Sequence, residues 1–144
     1  MTDTVTARYT VRMLTPSDTD MIMRAQVACQ YELFQSSREE IQQALWHNEL
    51  DGFVLIGPRT RMCIVTRHEE NAAALSLLYR EGPPVGLRTE APILWEKVVD
   101  YLQTEGVTQV VAYVHRENPQ FKKLMRFYKW LGWKADMVRV SRSI

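Results

Sequence analysis

A chain of 144 residues, 46% hydrophobic and 24% charged, has the make-up of one soluble mixed domain spanning residues 1–144, long enough to bury a core without staples. Its formal net charge of +1 argues against bulk polyanion binding and leaves only local patches to consider. Its two cysteines, Cys29 and Cys63, lie in apolar segments and do not suggest a secreted disulfide framework. No apolar run reaches the roughly 20 residues that span a bilayer, and the opening MTDTVTARYT has neither the basic start nor the apolar stretch of a signal peptide, so a reducing, cytoplasmic setting is expected.

Arg8 to Leu14 alternates Tyr9, Val11 and Met13 on one side and predicts a strand. Thr15-Pro16-Ser17-Asp18 predicts a helix start, with Thr15 as cap, Pro16 in the first turn and Asp18 completing a capping-box-like pair. Ser37-Arg38-Glu39-Glu40 is a second capping signal, followed by the apolar face Ile41, Leu45 and Trp46. Gly52–Ile56, Arg61–Thr66 and Ala73–Tyr79 are short apolar runs parted by Gly57-Pro58 and by His68-Glu-Glu-Asn71, which predicts an antiparallel meander. After the loop Arg80–Thr89, a long helix is expected from Glu90 to Gln103, stopped by Gly106, with Pro92 in its first turn. A buried strand follows over Val107–Val114. One strand-helix-strand crossover places two parallel strands in an otherwise antiparallel sheet, a mixed α/β layer protein.

The closing stretch NPQFKKLMRFYKWLGW predicts a helix from Asn118, with Asn118 as cap, Pro119 in the first turn and Gly132 in the left-handed conformation that ends it. Phe121, Leu124, Met125, Tyr128 and Leu131 recur at helical spacing and face inward, while Trp130 falls off that stripe. A last strand is expected over Lys134–Arg142. Lys122, Lys123, Arg126, Lys129, Lys134, Arg139 and Arg142 make this third of the chain basic. The plain expectation for them is a solvated face, with nucleic acid an unlikely partner.

This element order, together with Asn118 and the run Phe127-Tyr128-Lys-Trp-Leu-Gly132-Trp133, resembles the GCN5-related N-acetyltransferase (GNAT) superfamily. The resemblance implies a central, mostly antiparallel mixed sheet flanked by helices, acetyl-CoA as cofactor, and transfer to a small-molecule or protein amine. It places the pyrophosphate loop at Gly82–Glu90 and implies cofactor contacts from Val85, Gly86, Leu87, Arg88, Thr89, Asn118 and Tyr128. It makes Tyr128 the acid that protonates the departing thiolate, in a gap between the strand ending at Tyr79 and Val110–Val114, with Glu81 as the favoured base beside His68 and His115. Pro83 and Pro84 bring no N–H to that loop, and Glu90 brings negative charge that Arg88 would partly offset. The bland readings are a packed aromatic for Tyr128 and loop-edge residues for the two histidines; the three histidines have no metal-ligand spacing. The alternative is a non-catalytic protein of the same fold, which resembles the small internal virion proteins of short-tailed bacteriophages. It would act in assembly or dock a protein partner through Trp130 and the basic helix.

Overall fold

The computed structural model describes residues 4–5, 8–29, 36–69 and 72–133. The chain divides into two compact units, Met1–Ala112 and Tyr113–Ile144. The first contains β1 (Thr4–Val5), β2 (Thr10–Met13), α1 (Thr19–Ala28), α2 (Arg38–Trp46), β3 (Asp51–Ile56), β4 (Arg61–Glu69), β5 (Ala72–Glu81), α3 (Leu87–Thr104) and β6 (Gln109–Ala112). The described strands form one six-stranded sheet in the order β1-β2-β3-β4-β5-β6. Every neighbouring pair is antiparallel except β5 and β6, which run parallel across the α3 crossover. The mixed sheet expected from the sequence is present.

Short local signals build these elements. Asp18 accepts the Thr15 N–H at 2.8 Å and both Arg12 nitrogens at 2.7 and 2.9 Å, fixing the 3-10 turn Pro16–Asp18 that leads into α1. Ser37 and Glu40 exchange side chain and backbone at 3.2 and 3.1 Å, the reciprocal box that starts α2. Leu14, Met21, Ile22, Ala25, Ile41 and Leu45 pack with Val54, Cys63, Val65 and Leu77, so α1 and α2 share one face of the sheet. α3 packs against β3 and β4, where the Phe53 and Tyr101 rings meet edge to face at 5.4 Å. Ile22, Leu55 and Leu77 are fully buried, and cutting any of them to alanine would cost about 2–5 kcal/mol.

Three expectations need correcting. α3 begins at Leu87 rather than Glu90, because Gly86 takes φ +106 and caps it; Pro92 therefore lies in the second turn, not the first. Its missing N–H withdraws the intrahelical bond to the Arg88 carbonyl. The strand expected at Val107–Val114 shortens to Gln109–Ala112. Gln109 is exposed and the rest half-buried, because among the described residues β6 pairs only with β5. β1 was not expected, since two residues carry no readable period. The strand expected at Lys134–Arg142 lies outside the described residues.

The second unit contains α4 (Phe121–Trp130), three residues later than the expected start. Asn118 spends its carbonyl on the Phe121 N–H and its side chain on the Gln120 N–H, both at 2.9 Å, so it forms the turn before the helix and Gln120 is the cap. At the far end Gly132, at φ +88, donates to Lys129 O at 3.0 Å and Trp133 donates to Tyr128 O at 2.9 Å. That is a Schellman cap, and its customary apolar contact is present too, with the Tyr128 and Trp133 rings 4.9 Å apart.

Candidate functional site

The pairing of β5 is interrupted halfway along. Opposite β4, Thr66 faces Leu75 and Val65 faces Leu77, so Ser76 is one extra residue, a β-bulge. On the other side, pairing with β6 ends at Leu75↔Ala112. From Ser76 to Glu81, β5 is paired on its β4 side only among the described residues. The result is an open strand edge inside a sheet, leading directly to the loop before α3.

At the end of that edge, the N–H groups of Val85, Gly86, Leu87 and Arg88 make no hydrogen bond among the described residues. Those of Thr89 and Glu90 are already given to the Gly86 carbonyl, at 3.0 and 2.9 Å. Four free donors at the start of an 18-residue helix are chemistry for an anion. Thr89, expected as a backbone donor, can contribute its side chain alone. Beneath them sits the Glu90 carboxylate, 2% exposed, accepting from Thr60 Oγ1 at 2.6 Å and Arg80 Nε at 2.8 Å. Arg80 also donates to the Val85 carbonyl at 3.0 Å, so one guanidinium ties loop and helix together. A Cβ at Gly86 would lie 3.3 Å from Glu90 Oε2, which with the positive φ explains the glycine. The expected partner of Glu90 was Arg88; the structure assigns that part to Arg80, because Arg80 stands on the strand facing α3 and can reach an inward carboxylate. Among the described residues these unpaired N–H groups are donors of the kind a phosphate accepts from, and the Glu90 carboxylate beneath them is buried and paired.

Glu81 lies on the opposite face of β5. It accepts both Arg24 nitrogens of α1 at 2.6 and 2.9 Å and the Tyr79 hydroxyl at 3.1 Å. Hydrogen bonding from Arg24 holds its carboxyl below the ordinary range, with burial opposing, while burial and the Glu81 charge push the Tyr79 phenol up. A carboxylate so held is ionised at neutral pH and reluctant to take a proton.

In the second unit the Asn118 side-chain oxygen accepts the Gln120 N–H. Tyr128 is buried, its ring against Phe127 and Trp133. The other expected bases are elsewhere. His68 Nε2 meets Asp51 Oδ2 at 2.7 Å, and Asp51 also accepts from Tyr101 at 3.3 Å. His115 Nδ1 accepts the Glu117 N–H at 3.3 Å. Among the described residues no His, Cys, Asp and Glu cluster could hold a metal ion, and no helix is long and apolar enough to cross a membrane. Sequence reasoning missed Thr60, Arg80 and Arg24. Only Arg80 left a signal: an arginine at a strand end ten residues before a glutamate in the next helix. Much of the stretch from Cys29 to Ser37, and everything after Trp133, lies outside the described residues.

Sheet order, the parallel β5–β6 pair, the bulge and the long crossover helix define the fold of the GCN5-related N-acetyltransferases. AAC(6')-Iy, solved with the bisubstrate analog CoA-S-monomethyl-acetylneamine, matches with a TM-score of 0.66 at 12% identity, over 96% of this chain and 99% of that one. An aminoglycoside acetyltransferase from an uncultured soil metagenomic sample, in complex with trehalose, gives 0.62 at 12%, covering 94% and 96%. Ribosomal-protein-alanine N-acetyltransferase from Brucella melitensis biovar Abortus gives 0.61 at 12%, covering 94% and 99%. At such identities the likeness establishes the fold. No family model matches the chain, and no curated protein sequence does.

Proposed function

We propose that this protein is an acetyl-CoA-dependent N-acetyltransferase whose acceptor is an amine, on a small molecule or a protein. The observation that carries the reading is the open β5 edge running into four free N–H donors. An edge of that kind can pair with an amide-bearing chain, and the donors at its end suit phosphates. The cofactor, when bound, supplies an acyl group activated as a thioester. Val85, Gly86, Leu87 and Arg88 would hold its phosphates through the backbone, with the Arg88 guanidinium adding positive charge. Thr89 would help through its hydroxyl. Glu81 is the proposed base, and Arg24 must loosen its grip before Glu81 can take a proton at Oε2. Tyr128 Oη is the proposed proton source for the leaving sulfur, and Asn118 a further cofactor contact, both on the sequence resemblance alone.

A second reading, a non-catalytic scaffold acting in assembly, is favoured by one feature. Pro83 and Pro84 remove two donors from the loop, and Glu90 puts a carboxylate under it. Thermal denaturation with acetyl-CoA separates the two. A ligand present at about 100 times its Kd adds about 2.7 kcal/mol to native stability, which is a clear rise in Tm. Acetyl-CoA at about 1 mM leaving Tm unmoved would overturn the enzyme reading. Where Tm rises, thiol release with a panel of amines is expected to be abolished in Tyr128→Phe, with the shift retained.

A further inference from the structure

We propose that the outer arc of α4 binds single-stranded nucleic acid, taking phosphates on Lys122, Lys123, Arg126 and Lys129 and stacking an unpaired base on Trp130. At 3.6 residues per turn, Lys129, Lys122, Arg126, Trp130 and Lys123 follow one another around an arc of about 120°. All five are exposed, whereas Phe121, Leu124, Met125 and Phe127 are half-buried and Tyr128 is buried. The arc therefore holds four cations, one indole and nothing else. No acidic residue occurs between Asn118 and Trp133, and none of the four cations makes an ion pair among the described residues.

Such an arrangement costs the isolated helix something. Lys122 and Arg126 are four apart and Arg126 and Lys129 three apart, spacings at which like charges repel. A chain of near-zero net charge has no general need of such a patch. Phosphates relieve the repulsion, and lysine and arginine can both neutralise them. A protein partner fits less well, because lysine is depleted where protein surfaces desolvate one another. Trp130 is 46% exposed and leans on Phe127 at 6.1 Å with the ring planes 41° apart, which braces one side of the indole. Its open side offers a stacking surface for a base, and a duplex keeps its bases stacked away from such a surface. A lipid surface would call for an apolar outward face, whereas here the apolar residues point in. The sequence alone favoured a solvated face; the arc reverses that, since the cations share one side of α4 with the one exposed aromatic of that helix. Acyl transfer is not required for this binding.

The test is fluorescence anisotropy of a labelled single-stranded oligonucleotide of about 15 nucleotides on the intact protein, titrated in salt. Four phosphate contacts predict a log–log slope of about −3, hence about 50-fold weaker binding between about 50 and about 200 mM salt. In Lys122→Gln/Lys129→Gln the slope should fall by about 1.4, while Trp130→Ala should weaken binding about tenfold with the slope unchanged. These side chains are exposed, so the variants keep the fold. No binding at about 50 mM salt, an unaltered slope in the double variant, or tighter binding to a duplex or to phosphatidylserine vesicles would each overturn the proposal.

Discussion

Removing the Glu90 carboxylate would leave the Arg80 side chain, 14% exposed, with only the Val85 carbonyl to accept from it among the described residues. A buried pair broken on one side typically costs about 3–5 kcal/mol, whereas replacing both partners by apolar residues is far milder. Urea denaturation should therefore show Glu90→Ala destabilised by about 3 kcal/mol and Arg80→Met/Glu90→Leu recovering most of that loss. A double variant no better than the single would mean the two residues act separately. Glu81 makes a different forecast. Its folded pKa lies below the ordinary 4.5, so its pair with Arg24 contributes above about pH 4.5 and is lost as pH falls through the folded value. With Arg24 50% and Glu81 28% exposed, solvent screening keeps the contribution under about 1 kcal/mol. Wild type should melt slightly above Glu81→Gln at neutral pH, and the gap should close as pH falls through the lowered folded pKa of Glu81. The Arg24–Glu81 partnership was not legible beforehand and the Arg80–Glu90 one only as a spacing: a sequence shows a charge, but not which strand will carry its counter-ion.

The elements were easier to foresee, and α4 shows why. Tyr128, Gly132 and Trp133, which carried the family resemblance, are the three working parts of a Schellman cap: the accepting carbonyl, the left-handed residue and the apolar contact. A Cβ at Gly132 would meet nothing within 4 Å, so the glycine serves the backbone angle alone. Gly132→Ala should then lower stability by about 1 kcal/mol and Gly132→Asn by less, since asparagine tolerates that angle. Equal losses in thermal melts would point to packing instead. The same cap ends α3, where Gly106 donates to Gln103 and Val107 to Leu102, and α2, where Asn48 at φ 55 takes the glycine's place. Starts were less legible than stops. Asn118 and Glu90 were both misplaced by about a turn, because a turn residue and a capping residue use the same side-chain chemistry.

At the scale of the whole molecule, the sheet order and the parallel crossover were readable because short apolar runs and one long amphipathic helix admit few topologies. The bulge was not. It has no composition of its own: Ser76 sits in AALSLLY as one more small residue. Its consequence is a change of parity along a single strand. Leu75 aligns with Thr66 and Leu77 with Val65, so Leu75 and Leu77, two apart, point to opposite faces where an unbroken strand would put them on the same one. Take Ser76 away and everything beyond it turns over: Arg80 leaves the Glu90 side for the α1 side, and Glu81 leaves Arg24 for α3. Both ion pairs, and the loop that one of them holds, depend on the phase that this one inserted residue imposes.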